Sequence, residues 1–174
     1  MGGAIVLEAA IRHPELVRKL IFADGASYNP DAYYPQMMAM EKKMTGADLD
    51  GSPFKVAYTR VAPNSGNWNA LFEKIKKMDI DWKGVPVSDV KSIKVQTLLM
   101  IGDADIVRPE HTVEMFRLLG GGVPGDIVGL PRSQLAVLPG STDVTLMQRS
   151  EWLIPLVNAF LDALPPKPAD VQRQ

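Results

Sequence analysis

Few side chains in this sequence are suited to proton transfer or nucleophilic attack near neutral pH. The histidines His13 and His111 are the groups whose ordinary pKa lies closest to that pH. The sequence contains no cysteine, which excludes disulfides, thiol nucleophiles and thiolate metal sites. Two aspartates, Asp105 and Asp143, lie in the turn segments GDAD and PGSTD, each of which directly follows an apolar stretch. By residue type alone, the two histidines are the first candidates for proton transfer.

Alternating helices and strands must position these side chains. The apolar pattern from residue 4 predicts a helix that ends near Arg12, because Pro14 disfavours helical geometry at His13. Pro109 is well placed to start a second helix, and Ser150 is a plausible N-cap for the last one. The predicted strands are residues 19–25, which end in a turn, 95–101 and 134–138, and the predicted later helices are 110–119 and 150–164.

The segment 26–92 differs from the rest of the chain because it is rich in methionine and aromatic residues. Its short amphipathic stretches, at about 35–45, 53–61 and 67–78, predict several small helices rather than a strand–helix layer. Methionines and aromatics at helical spacing are usually core residues. Methionine is also soft enough to line a substrate pocket, and both interpretations remain open from the sequence.

Strands that alternate with helices predict an α/β fold with a parallel sheet covered on both faces. The sequence shows only about three strands. A three-stranded parallel sheet would have two open edges and little central burial. We therefore expect the sheet to be one side of a larger one.

The sequence resembles the α/β-hydrolase family over nearly all of residues 1–164. MGGAIVLEAAIRHPELVRKLIFAD resembles the segment directly after the nucleophilic serine in the family's G-x-S-x-G-G turn. TLLMIGDADIVRPEHTVEMFRLL is similar to the strand and loop that carry the family's triad acid, and LAVLPGSTDVTLM to those that carry its histidine. The resemblance implies a chain that starts just after the serine. It implies a partial core of residues 1–25 and 93–166, a helical cap insert of residues 26–92 and a flexible tail of residues 167–174.

The resemblance also implies roles for individual residues. Met1 matches the residue after the serine, whose backbone N–H contributes to the oxyanion hole in the family. Asp105 matches the triad acid, which orients the base. Asp143 stands where the family has its histidine.

An aspartate is a poor base for a serine near neutral pH, because its ordinary pKa is about 3.9. Asp143 would also face Asp105, and two adjacent carboxylates repel each other, so that one pKa rises. A shared proton or a bound cation would relieve that repulsion, but simple loss of the base is the favoured interpretation. We expect His111 to face solvent or cap a turn, and Asp103 to bond the backbone of its turn.

The resemblance implies two alternative functions. The first is that of a carboxylic-ester or lactone hydrolase, truncated and catalytically impaired, with an apolar pocket shaped by cap residues. The alternative is a non-catalytic dimeric remnant that binds a small apolar ligand, or a weak hydrolase with a site rebuilt at the dimer interface. We expect a homodimer, because a monomer would expose an uncovered sheet edge. The expected pocket residues are Tyr34, Met37, Trp68 and Trp82.

The bulk properties exclude several other classes of protein. The net charge is −1 and the sequence pI is about 6.1, so no basic surplus is available for nucleic acid. The apolar runs are too short for a membrane span, and the first residues do not have the pattern of a signal peptide. No H-x-x-x-H spacing or G-x-G-x-x-G motif indicates a metal or cofactor site. We expect no cofactor and a cytoplasmic location.

Overall fold

The computed structural model describes residues 2–24 and 26–164. Within this part of the chain, three parallel strands form one sheet in the order β1 (Lys19–Ala23), β2 (Gln96–Gly102) and β3 (Ser133–Leu138). In the register, Ile21 lies opposite Leu98 on one side of β2, and Leu99 lies opposite Leu135 on the other. The predicted α/β fold with about three parallel strands is confirmed.

Helices account for most of the remaining described residues. They are α1 (Gly2–Arg12), α2 (Pro35–Lys43), α3 (Pro53–Val61), α4 (Trp68–Asp81), α5 (Val87–Ser92), α6 (Pro109–Leu118), α7 (Gly125–Val128), α8 (Asp143–Leu146) and α9 (Ser150–Asp162). The helix α1 ends at Arg12, as Pro14 predicts, and α6 begins at Pro109. The prediction for Ser150 is wrong: it is the first helical residue, and the N-cap position is held by Arg149, whose side chain makes no cap bond.

The strand β2 is the centre of the sheet, and all seven of its residues are buried. Its alternate side chains therefore point into two different cores. Leu99 packs with residues of α1, α5 and α6 on one face. Leu98 and Met100 pack with residues of α8 and α9 on the other, where Phe160 is almost completely buried. A near-continuous apolar strand is what a sheet covered on both faces requires.

The chain divides into two compact units. One comprises the described residues up to Tyr33 and from Gly84 onward, and it contains the sheet. The other comprises Tyr34–Lys83 and contains α2, α3 and α4. The predicted cap insert, 26–92, is wider than this second unit, because the backbone N–H of Val85 donates to Tyr28 O at 2.8 Å within the first unit. The assignment of this segment as a cap remains a prediction.

The second unit has a small core of its own around Trp68. The indole Nε1–H of Trp68 donates to Gly46 O at 2.7 Å, and the side chain is 7% exposed. Its ring lies 5.4 Å from that of Tyr58 and 6.4 Å from that of Phe72, measured between centroids. Aromatic packing therefore joins α3 to α4, and the one polar atom of the Trp68 ring is satisfied by a hydrogen bond.

None of the described helices has both the length and the apolar character needed to cross a bilayer. The expected tail, residues 167–174, and the end of the predicted core beyond residue 164 lie outside the described residues.

Candidate functional site

The loops after β2 and β3 are fastened together by backbone hydrogen bonds. Asp103 N–H donates to Leu138 O at 3.1 Å, and Ala104 N–H donates to Ser141 O at 3.0 Å. Gly102 permits this approach, since a Cβ there would collide with the carbonyl oxygen of Ser141. The two loops thus have a fixed separation at the carboxyl-terminal edge of the sheet, which is where open α/β sheets bind ligands.

Asp103 bonds the backbone of its turn, as expected. Its carboxylate accepts from Ser141 N–H at 3.1 Å. The backbone N–H groups of Gly140 and Ser141 hold the pKa of Asp103 below its ordinary value, because they stabilise the charged form. This aspartate has a structural role: it locks the loop after β3 to the loop after β2.

Asp105 lies two residues further along the same turn and is 5% exposed. Its Oδ1 accepts from Val107 N–H at 2.9 Å, so one carboxylate oxygen is fixed by the backbone. Its Oδ2 is inaccessible to solvent and has no hydrogen-bond partner. A buried carboxylate oxygen without a donor is uncommon in folded proteins and costly, so it marks a place where a ligand or a proton is missing.

Asp143 is the first residue of α8. The preceding Thr142 caps this helix, accepting from Thr145 N–H at 3.2 Å, and Thr145 Oγ1 accepts in return from Thr142 N–H at 2.9 Å. This reciprocal capping box fixes the residue at which the helix starts, and so it fixes the backbone position of Asp143.

A third aspartate, Asp24, completes the site, although no sequence motif indicated it. It follows β1 directly, and its N–H donates to Met100 O at 3.1 Å. Its φ of 79° lies in the left-handed region, which is uncommon for a residue other than glycine. The Oδ1 of Asp24 is buried without a hydrogen-bond partner. The signal that could have found it is its place at the carboxyl end of a parallel strand.

Asp24, Asp105 and Asp143 form a carboxylate cluster. Each contributes one oxygen, and these three oxygens lie within 4.8 Å of one another. Burial, followed by the charges of Asp143 and Asp105, raises the pKa of Asp24 from 3.8 to about 8. Burial and the charge of Asp105 also raise the pKa of Asp143. The cluster therefore favours retaining a proton near neutral pH, or accepting a positive charge.

The histidines lie elsewhere. His111 is 3% exposed, which makes the expectation of a solvent-facing or capping side chain wrong. Its Nε2 accepts from Tyr28 N–H at 3.3 Å, and its ring stacks on that of Tyr28 with centroids 4.5 Å apart. Burial lowers the pKa of His111, which keeps the imidazole neutral. His13 follows α1, and its Nδ1 lies 3.6 Å from the Glu15 carboxylate on an exposed surface.

The remaining predicted site residues are not part of the carboxylate cluster. Met1 lies outside the described residues, so its oxyanion-hole role stays a prediction. Tyr34, Met37 and Trp82 belong to the second unit with partly or largely exposed side chains, while Trp68 is the buried centre of that unit. A pocket formed by these four residues also stays a prediction.

Comparisons with known proteins give a consistent result at the level of the fold. No family model matches the sequence, and no curated protein matches it. Among solved structures, the chain is similar to a serine hydrolase involved in carbazole degradation (CarC), with a TM-score of 0.62 and 18% identity. It is also similar to the meta-cleavage product hydrolase CumD of Pseudomonas fluorescens IP01, with a TM-score of 0.59 and 17% identity. A third similar structure is carboxylesterase CesB of Bacillus subtilis, with a TM-score of 0.56 and 19% identity.

The chain has the fold of part of an α/β-hydrolase. The three matches cover 92%, 91% and 92% of this chain, so the likeness is not confined to one motif. The chain in turn spans 60%, 61% and 57% of the lengths of those proteins. The similarity of the sequence to the α/β-hydrolases, noted from its three motifs, is thereby confirmed for the fold.

Proposed function

We propose that this chain has the ancestry of a carboxylic-ester or lactone hydrolase and is catalytically impaired as a serine hydrolase. The observation that carries the proposal is the position of Asp143 beside Asp105. In the family that this chain resembles, that position holds the histidine that activates the serine. The triad acid stabilises the protonated histidine because their charges are opposite. Asp143 never carries a positive charge, so Asp105 cannot stabilise it in that way.

The contacts of the two histidines and of Ser141 support a loss of the catalytic base rather than its replacement by another side chain. A substitute base would need to lie within hydrogen-bond reach of Asp105 or of a nucleophile. The imidazole of His111 accepts from Tyr28 N–H and stacks on the Tyr28 ring, and the imidazole of His13 faces the Glu15 carboxylate. Ser141 is completely buried, and the contact of its Oγ is with Pro139 O at 3.4 Å.

A second candidate function is that of a non-catalytic homodimer that binds a small apolar ligand. Within the described chain, β1 pairs on one side only, with β2. A groove of about 360 Å³ runs beside that strand, and Val6, Leu16, Leu20 and Leu161 are among its lining residues. An unpaired edge next to apolar side chains is a surface that folded proteins usually cover. A second copy that pairs edge to edge would give a six-stranded symmetric sheet.

The experiment that tests the proposed function is hydrolysis of p-nitrophenyl acetate and butyrate by the purified chain. We expect no rate above buffer, and an unchanged result in Asp105→Asn. Light scattering on the same sample gives the mass in solution, and a mass of two chains would support the second candidate. Saturable hydrolysis that is lost in Asp105→Asn would contradict the impairment and would indicate a site rebuilt without the usual base.

A further inference from the structure

The carboxylate cluster gathers three carboxyl groups from the ends of three neighbouring strands. Asp24 follows β1, Asp105 follows β2 and Asp143 follows β3, and their closest oxygens lie within 4.8 Å of one another. The ion pairs formed by lysine and arginine in the described residues involve other carboxylates: Glu8, Asp50, Glu73, Asp81 and Glu151. None of the three carboxyl groups therefore forms an ion pair with a lysine or arginine of the described residues.

A separate observation concerns hydrogen bonding rather than charge. Asp105 is only 5% exposed, so more than nine-tenths of it is buried, and its Oδ2 has no donor. Its Oδ1 is already occupied by Val107 N–H, so the free oxygen is the one left for a further partner. Oδ1 of Asp24 is inaccessible and without a donor as well. The cluster therefore contains two buried carboxylate oxygens that accept no hydrogen bond, and a shared proton or a bound cation would satisfy them.

We propose that Asp24, Asp105 and Asp143 bind a hard divalent cation of the Ca²⁺ or Mg²⁺ class. Such ions take oxygen ligands, and carboxylates are their preferred protein ligands. Two ligands on opposite sides of a Ca²⁺ ion lie about 4.6–5.2 Å apart, given Ca–O distances of about 2.3–2.6 Å. Three oxygens within 4.8 Å of one another are therefore close enough to converge on one Ca²⁺ ion after small side-chain movements, whereas Mg²⁺, with Mg–O distances of about 2.0–2.1 Å, needs them closer together.

The loops around the cluster suit a bound ion because they are already fixed. Asp103 accepts from Ser141 N–H and so ties the loop of Asp105 to that of Asp143. The capping box of Thr142 and Thr145 orients the helix that begins at Asp143. Little ordering entropy would then be lost on binding, which is the condition for a preorganised site. This inference does not depend on the proposed function, since a cation site can exist with or without ester hydrolysis.

Isothermal titration of the purified full chain with CaCl₂, and separately with MgCl₂, tests the proposal after treatment with a chelator. The titration is made at about pH 9, so that protons compete little for the carboxylates. We expect saturable binding of one ion per chain by at least one of the two salts. We also expect the thermal midpoint of unfolding to rise with the concentration of that ion.

Three variants test whether ion binding depends on the aspartates of the cluster. Asp24→Asn and Asp143→Asn each remove one ligand charge and are expected to lose saturable binding. Both are also expected to stabilise the ion-free protein, because each removes like-charge repulsion, so that failure to fold is not the anticipated outcome. Asp126→Asn alters an exposed carboxylate of α7 and is expected to bind like the parent chain.

Two results would overturn the proposal. One is the absence of saturable heat with both salts up to millimolar concentration in a folded parent chain. The other is binding that persists unchanged in Asp24→Asn and Asp143→Asn, which would place the ion elsewhere. Ester hydrolysis is measured separately from ion binding. Absence of ion binding would not contradict the proposed function, and hydrolysis of the esters would not contradict the cation site.

Discussion

A carboxylate oxygen of Asp105 lies within 4.8 Å of one of Asp143, at the carboxyl ends of two adjacent parallel strands. In the family that the sequence resembles, we expect the matching positions to hold an acid and an imidazole, whose charges are opposite once the base is protonated. Here both groups are acids, and Asp24 adds a third. The site therefore differs from a triad in its charge, because no group in the cluster becomes positive. It disfavours further negative charge and attracts a proton or a cation.

The first prediction concerns the pH dependence of stability through Asp24. Its pKa is about 8 in the fold and 3.8 ordinarily, so the folded state holds a proton that the unfolded state releases. This contribution to stability is fully present below about pH 4 and is lost as pH rises through about 8. Asp24→Asn removes the effect, and its Tm should exceed that of the parent above pH 8 in chelator-treated samples. Asp126→Asn is the matched control, and equal pH profiles for parent and Asp24→Asn would contradict the prediction.

The second prediction concerns the close approach of two loops at Gly102. A methyl group there would meet the carbonyl oxygen of Ser141, and a backbone atom cannot move aside as a flexible side chain does. We expect Gly102→Ala to lower the free energy of unfolding by about 1–3 kcal/mol, as overpacking does. Urea denaturation measures the loss. Gly2→Ala is the control, because a Cβ at Gly2 would meet no atom within 4 Å. This substitution should leave the free energy of unfolding unchanged or raise it slightly. An equal loss of stability in both variants would refute the steric explanation.

The third prediction concerns His111, which is a buried neutral acceptor rather than a catalytic group. His111→Phe keeps an aromatic ring against Tyr28 but leaves the Tyr28 N–H without its acceptor. We expect a loss of about 1–3 kcal/mol in the free energy of unfolding, the usual cost of an orphaned buried donor. Burial lowers the pKa of His111 below 6.5, so the parent should also lose stability as pH falls below that value. That acid-side loss should be smaller in the variant, and an unchanged profile would show that His111 is not the group responsible.

The fourth prediction concerns the identity of residue 143. In a longer chain that carries the family's strand and Gly-x-Ser segment ahead of Met1, Asp143→His should restore a base next to Asp105. A positioned general base typically contributes about 10²–10⁴-fold, so p-nitrophenyl ester hydrolysis should rise by that order. Asp143→Asn in the same longer chain is the control and should give no rise. If the histidine gives none either, the loop does not place residue 143 at the triad position.

Much of the sheet could be predicted from the sequence because its signals are local. The apolar run at β2 is buried along its whole length, and Pro14 and Pro109 mark the ends of helices as proline geometry requires. Ser150 shows the limit of this reasoning. Serine is a good N-cap residue, yet the helix begins at Ser150 itself and Arg149 holds the N-cap position.

The candidate site could be predicted only in part, since its essential relationships are long-range. Asp105 and Asp143 were found because their turns match the triad loops of the family that the sequence resembles, but Asp24 precedes them by 81 and 119 residues. Its signal, a carboxylate just after a buried strand, is weak until the strand order is known. His111 was misjudged for a similar reason: its burial depends on Tyr28, 83 residues earlier, and nothing in the helix containing it records that contact.

The most direct test of the central claim is ester hydrolysis by the purified chain, measured with p-nitrophenyl acetate and butyrate alongside Asp105→Asn. The claim is that carboxylates have replaced the machinery of a serine hydrolase at this edge of the sheet. It predicts that parent and variant both give the rate of buffer alone. Saturable hydrolysis by the parent, lost in Asp105→Asn, would contradict it and would mean that the carboxylate cluster is itself a working catalytic site.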